Sequence, residues 1–153
     1  IDFCEKLCYN DSNPSKSFFQ ISLKQCFMPE TKSKILIVED DLDLLEVLVK
    51  KFEMEKFAVL QAVDGKAGLE KALKECPDLI LLDIIMPVMD GMTMLRNLRA
   101  DGWGKNVPVI LLTNLSDESK VAEAMQHGVY DYLVKSDWNI SSVITKVREK
   151  LKK

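Results

Sequence analysis

The chain has 153 residues, of which 47% are hydrophobic and 29% are charged. These values lie close to the average for globular domains, so they exclude a collagen-like chain, a largely disordered chain and a disulfide-dense miniprotein. The formal net charge is -3, from 21 Lys and Arg against 24 Asp and Glu, which gives no general attraction to nucleic acid or to an anionic membrane. No apolar run reaches the roughly 18 residues that a transmembrane helix needs.

Cysteine usage indicates a reducing compartment. The four cysteines are Cys4, Cys8, Cys26 and Cys76, so the main body of the chain contains a single one. A single cysteine cannot form a disulfide inside that body, and such usage is typical of intracellular proteins. We therefore expect a cytoplasmic protein.

Residues 1–33 differ from the rest of the chain. They show no sustained helical or strand period, and the cluster at residues 10–15 is a turn or loop signal. We expect residues 1–33 to form a poorly ordered extension and residues 34–153 to form one domain.

Met28 and the short polar stretch after it are typical of a natural amino terminus. This favours translation from Met28, with residues 1–27 as upstream read-through or a cloning artefact. The alternative is a genuine extension that docks on the domain through Phe18, Phe19 and Ile21.

From residue 34 onward, short apolar runs alternate with segments of helical period. The runs predict buried strands at residues 35–38, 58–62, 79–82, 107–112 and 129–134. The segments between and after them predict helices at residues 42–52, 66–75, 92–100, 117–127 and 140–151. This alternation predicts an α/β fold with a parallel sheet and helices on both of its faces.

Polar residues stand where four of the predicted strands end. Glu39 and Asp40 follow the first strand, and Asp83 follows the third. Thr113 and Lys135 follow the fourth and fifth strands. Sites in open α/β sheets lie beyond the carboxyl ends of the strands, so we expect these side chains to converge. Carboxylates that lie this close repel one another unless a cation intervenes, and Mg2+ suits a set of oxygen ligands.

A divalent ion beside Asp83 changes the chemistry of that carboxylate. Mg2+ can neutralise the oxygens of a phosphoryl donor while Asp83 attacks phosphorus in line. Thr113 can donate a hydrogen bond to a phosphoryl oxygen, and Lys135 adds positive charge. The alternative interpretation is that the acidic residues are solvated, and for Asp41 alone we favour a simple helix cap.

Four segments carry a resemblance to a known family. ILIVEDD, LLDIIMPVMDG, PVILLTN and DYLVK, in this order and spacing, closely resemble the receiver domain of bacterial two-component response regulators. The resemblance covers Lys34 to about Lys153. It implies a flavodoxin-like, doubly wound sheet of five parallel strands in the order 2-1-3-4-5.

The resemblance also implies a function. A sensor histidine kinase, a phosphotransfer protein or a small donor such as acetyl phosphate would phosphorylate the domain in the presence of Mg2+. The domain would not be an enzyme in the usual sense, because it would catalyse only its own phosphorylation and dephosphorylation. It would act on an output partner protein, or through a phosphorylation-dependent homodimer, without direct contact with nucleic acid or membrane.

Individual roles follow from the same resemblance. The metal would be held by Glu39, Asp40, Asp83 and the backbone carbonyl of Ile85. Asp83 would accept the phosphoryl group with help from Thr113 and Lys135. Thr113 and Tyr132 would form the switch, which changes the surface made by the fourth helix, the fifth strand and the fifth helix.

The sequence departs from the family pattern at positions near Asp83, the phosphoryl acceptor that the resemblance implies. Ile85 and Leu115 are apolar where many members have polar residues, and Asn114 stands where a small residue is usual. With no polar side chain at Ile85 or Leu115 to orient water, we expect a long-lived acyl phosphate.

Ser136 follows Lys135 where the family usually has proline. A cis bond before a non-proline residue costs about 2.5–4 kcal/mol, so we expect the Lys135–Ser136 bond to be trans. Asp137 or Asn139 should then cap the last helix.

The chain ends at Lys153, directly after the last helix, and its Lys-rich ending is typical of a natural stop. We therefore expect a single-domain response regulator. The rival interpretation is the truncated receiver half of a DNA-binding response regulator. A haloacid-dehalogenase-like phosphatase also uses an aspartate nucleophile and Mg2+, but it needs a second aspartate two positions on, where this chain has Ile85.

Overall fold

The computed structural model describes residues 32–113, 118–136 and 139–152, with the backbone alone for Thr113 and for residues 118–121. The predictions made for residues 1–31, including the docking of Phe18, Phe19 and Ile21, lie outside these residues.

The described residues form one five-stranded sheet. Its strands are β1 (Lys34–Val38), β2 (Ala58–Ala62), β3 (Leu79–Asp83), β4 (Val109–Thr113) and β5 (Asp131–Val134). They lie in the order β2-β1-β3-β4-β5, and each neighbouring pair is parallel. The predicted fold class and strand order are confirmed.

One helix follows each strand and covers a face of the sheet. The helices are α1 (Leu42–Met54), α2 (Gly65–Glu75), α3 (Gly91–Ala100), α4 (Glu118–Gln126) and α5 (Ile140–Leu151). Alternate side chains of β1 enter two different cores, because successive residues of a strand point to opposite faces. Leu36 packs on the side of α2 and α3, whereas Ile35 packs on the side of α1 and α5. No helix in the described ranges is long and apolar enough to cross a membrane.

Side-chain caps set where the helices begin. Asp41 accepts hydrogen bonds from the backbone N–H groups of Asp43 and Leu44, as expected of a cap. Asn139 caps α5 through the N–H of Ser142, which confirms one of the two predicted caps. The described residues contain no cis peptide bond, so the Lys135–Ser136 bond is trans as predicted.

Two strands begin later than predicted. Strand β4 begins at Val109 rather than at residue 107, since Pro108 has no N–H to donate to a neighbouring strand. Strand β5 begins at Asp131 rather than at residue 129, because the N–H of Val129 donates to Ala124 O and so closes the end of α4.

No side chain fits at Gly91, where the loop between β3 and α3 joins the helix. The N–H of Gly91 donates to Ile84 O at 2.9 Å. A Cβ added to Gly91 would lie 2.0 Å from the carbonyl oxygen of Asp83. A backbone contact this close cannot be relieved by rotating a side chain, so Gly91 sets the path of the chain just after Asp83.

We expect Gly91→Ala to lower the free energy of unfolding by about 1–3 kcal/mol, the usual cost of overpacking a tight site. The control is Gly102→Ala, because a Cβ at Gly102 would meet no heavy atom within 4 Å. Urea unfolding followed by circular dichroism measures both variants. Equal losses in the two variants would contradict the close approach.

Candidate functional site

The carboxyl ends of β1, β3 and β5 bring three charged side chains together. Glu39 directly follows β1, Asp83 ends β3, and Lys135 directly follows β5. The Lys135 ammonium lies 2.8 Å from Glu39 Oε1 and 2.9 Å from Asp83 Oδ2. Glu39 is fully buried and Asp83 is 4% exposed, and they are the two buried charged residues in the described part of the chain. One ammonium therefore faces two buried carboxylates.

The loop after β3 holds the other oxygen of Asp83. Asp83 Oδ1 accepts hydrogen bonds from the backbone N–H groups of Ile84, at 2.7 Å, and of Ile85, at 3.4 Å. The carboxylate is thus oriented by the backbone on one side and by Lys135 on the other. These contacts fix the orientation of the Asp83 carboxylate at the edge of the sheet.

Asp40 completes an acidic cluster with Glu39 and Asp83. One carboxylate oxygen from each residue lies within 4.8 Å of the other two, and Asp40 is exposed to solvent. Glu39 Oε2 is buried and is the one such side-chain atom of the described residues without a hydrogen-bond partner. A buried oxygen without a partner is costly, and a cation would satisfy it. The three carboxylates therefore fit a hard divalent ion such as Mg2+.

The electrostatics of the cluster follow from burial and from the single ammonium. Burial, opposed by the hydrogen bond from Lys135 and reinforced by the charge of Asp83, raises the pKa of Glu39 to about 7. Burial alone would lower the pKa of Lys135, but its bonds to Glu39 and Asp83 outweigh burial and raise it. Lys135 therefore stays protonated. Its single positive charge does not balance the three carboxylates of the cluster, so an additional cation would be stabilised there.

The remaining predicted residues lie around this centre. Thr113 ends β4 at the same edge and pairs in register with Val134 of β5, but its side chain lies outside the described part. Tyr132 is 43% exposed on β5. The predictions for Asn114 and Leu115 also fall outside the described residues.

The sequence analysis did not identify two arginines of α3 that connect this helix to α4 and to the turn after it. Arg96 contacts Glu123 of α4, and Arg99 binds backbone carbonyls of the turn that follows α4. The partners are 27 to 29 residues away along the chain, and no local motif marks such a pairing. Only the packing of α3 against α4 reveals it.

The chain is similar to known proteins in family, sequence and structure. The model of the response regulator receiver domain matches residues 35–148. Response regulator ArlR of Staphylococcus saprophyticus is 36% identical over 121 residues, which cover 79% of this chain and 53% of ArlR. RpaA of Synechocystis sp., a DNA-binding dual master transcriptional regulator, is 34% identical over 120 residues, which cover 78% of this chain and 49% of RpaA. The chain spans about half the length of these two relatives.

A solved structure also resembles the chain. It is the receiver domain of sensor histidine kinase PA1611 from Pseudomonas aeruginosa, which has a magnesium ion coordinated in its active-site cleft. The TM-score is 0.73 at 27% identity, and the match covers 80% of this chain and 99% of that domain.

We expect Glu39→Gln to weaken Mg2+ binding by at least about tenfold, since losing a group that supports a metal site commonly costs 10–100-fold in affinity. Titration of the metal-free protein with Mg2+ in a calorimeter measures the dissociation constant. The matched control is Glu46→Gln on α1, whose exposed carboxylate pairs with Lys50 and lies outside the cluster. An unchanged affinity in Glu39→Gln would contradict the assignment of this carboxylate to the ion.

Proposed function

The chain belongs to the response regulator receiver domain family, and we propose that it takes a phosphoryl group on Asp83 in a Mg2+-dependent reaction and signals by a change of conformation. The observation that carries this proposal is the environment of Asp83. It is a buried carboxylate held between an ammonium and backbone N–H groups, at the centre of an oxygen-only cluster.

In the proposed reaction, an oxygen of Asp83 attacks phosphorus of the donor in line with the bond that breaks. The new bond joins this oxygen to phosphorus, and the electron pair of the broken bond leaves with the donor, a histidine nitrogen or the acetate oxygen of acetyl phosphate. Bound at Glu39, Asp40, Asp83 and the Ile85 carbonyl, Mg2+ would supply positive charge to the phosphoryl oxygens.

Lys135 has two tasks in this scheme. Before transfer, its ammonium neutralises part of the charge of Glu39 and Asp83, which would otherwise repel each other. After transfer, the ammonium is already at hydrogen-bonding distance from the modified side chain, so it can pair with a phosphoryl oxygen. Thr113, at the end of the neighbouring strand, is the proposed hydroxyl donor to another of these oxygens.

The proposed switch joins Thr113 to Tyr132. Tyr132 is 43% exposed, so its side chain would gain burial by turning inward when Thr113 moves toward the phosphoryl group. Such a turn changes the surface formed by α4, β5 and α5. Nearby charges are already paired within the chain, since Asp131 pairs with Lys146 and Arg148 with Glu55.

The partners of the domain follow from this chemistry. We propose a sensor histidine kinase or a phosphotransfer protein as donor, in the cytoplasm. The changed surface would bind an output partner protein or a second copy of the chain.

A second candidate function is favoured by one comparison. The matched relatives are about twice as long as the match, and one of them, RpaA, is a DNA-binding regulator. The domain would then control a DNA-binding part of a longer chain. Sequencing the gene beyond the codon for Lys153 distinguishes this from a single-domain regulator: an open reading frame that encodes a DNA-binding domain supports it, and a stop codon excludes it.

We expect acetyl phosphate with Mg2+ to label the wild-type protein with alkali-labile phosphate, as an acyl phosphate requires, and to leave Asp83→Asn unlabelled. Radiolabel incorporation and intact-protein mass measure this. Asp90→Asn is the control, because Asn also caps a helix and Asp90 lies at the start of α3 outside the acidic cluster. Label that persists in Asp83→Asn would overturn the assignment.

We expect Ile85→Asn to shorten the lifetime of the phosphorylated protein. Ile85 is 52% exposed, two residues after Asp83, and its side chain has no polar group to orient an attacking water, whereas an amide has one. Loss of label after removal of acetyl phosphate gives the rate. Ile85→Val is the control, and equal lifetimes for Asn and Val would contradict the argument.

A further inference from the structure

A chain of hydrogen bonds runs to α4 from the loop between β3 and α3, residues 84–90, which we call the acceptor loop. Asp90 accepts from the Thr93 N–H at 2.8 Å and from the Thr93 hydroxyl at 2.9 Å. The Thr93 hydroxyl oxygen accepts in turn from Arg96 at 3.0 Å. The same guanidinium donates to Glu123 Oε1 of α4 at 2.8 Å. The acceptor loop, which directly follows Asp83, is thereby connected to α4 through polar side chains of α3.

A cavity of about 330 Å³ lies beside this chain. It is bounded by residues 84–86 of the acceptor loop, by Met92 of α3 and by the Arg96–Glu123 pair. Arg96 and Glu123 are therefore part of its wall, between α3 and α4. This free space would allow α4 to move relative to the acceptor loop once the Arg96–Glu123 ion pair is broken.

The far end of α4 is held more firmly. Arg99 donates to His127 O at 2.9 Å, to Gly128 O at 3.1 Å and to Gly104 O at 2.6 Å. These bonds connect the turn after α4 to α3 and to the segment before β4. A cation close to the carboxyl end of a helix also interacts favourably with the helix dipole. These contacts would make this end the pivot of a movement of α4 that separates Glu123 from Arg96.

The Arg96–Glu123 ion pair can break at a small cost in free energy. Its side chains are 46% and 44% exposed, and exposed ion pairs contribute little to stability. An interaction of this strength can shift a balance between two positions of α4 without locking either of them.

We propose that the Arg96–Glu123 ion pair is a latch that holds α4 in its resting position beside the cavity, and that Arg96 is a positioning residue whose release favours the phosphorylated arrangement. This inference rests on the proposed function of Asp83. In this proposal the resting arrangement is that of the present structure, in which Lys135 donates a hydrogen bond to Asp83 and Tyr132 is partly exposed. A ligand at Asp83 that prefers the released arrangement must bind more tightly once the latch is removed, because the coupling is reciprocal.

The test measures the affinity of the full chain for beryllofluoride, a phosphoryl mimic, in the presence of Mg2+. We expect Glu123→Gln to bind it about twofold to fivefold more tightly than the wild type, which is the range that an exposed ion pair can supply. Arg96→Gln should do the same. The double variant should match either single one, since each change removes the same interaction.

The control is Glu46→Gln, which removes the exposed Glu46–Lys50 pair on α1. It should leave the affinity unchanged. Unchanged or weaker binding in Glu123→Gln would overturn the latch, and so would additive effects in the double variant.

Amide hydrogen exchange at residues 122–126 separates the latch from the proposed function. In the absence of beryllofluoride, these amides should exchange faster in Glu123→Gln than in the wild type, with no change in Glu46→Gln. If wild-type protein fails to bind beryllofluoride, the proposed function of Asp83 fails, and the exchange rates still decide whether the pair holds α4. Equal exchange in Glu123→Gln and the wild type would overturn the latch.

Discussion

One ammonium between two buried carboxylates is the interaction on which this structure depends. Lys135 reaches Glu39 and Asp83 across the edge of the sheet, and its positive charge partly offsets two negative ones. Buried charges are tolerated only when they are paired, and here the pairing leaves one oxygen of Glu39 without a partner. The cluster is therefore incompletely satisfied by the protein alone. That shortage of positive charge is what makes the site receptive to a divalent ion.

The sheet and its loops are arranged around this cluster. Parallel strands place all their carboxyl ends at one edge, so residues far apart in the chain meet there. The tight approach of Gly91 to the carbonyl of Asp83 keeps the following loop close to the acceptor. The same loop gives Asp83 two backbone N–H donors. Packing thus orients the Asp83 carboxylate in advance, so the proposed reaction would need less rearrangement of this side chain.

The acceptor and the proposed output surface are connected in two ways. One proposed connection runs through β4 and β5, from Thr113 at the end of β4 to Tyr132 near the start of β5. The other runs through α3, from Asp90 to Arg96 and on to Glu123 of α4. In the proposed mechanism, the first connection would change when a phosphoryl group binds, whereas the second would oppose the movement of α4. A switch with both parts has a defined resting state as well as a defined active one.

The sequence by itself determined the fold class, the strand order implied by the family resemblance, and the edge at which Glu39, Asp40, Asp83 and Lys135 meet. It could do so because buried strands have a continuous apolar pattern, and because topology alone brings their carboxyl ends together. It misjudged the starts of β4 and β5, where Pro108 and the hydrogen bond of Val129 decide the boundary. Only the tertiary structure showed the unpartnered oxygen of Glu39 and the Arg96–Glu123 pair. Burial and contacts between helices depend on how distant segments pack, and no local pattern of residues encodes that.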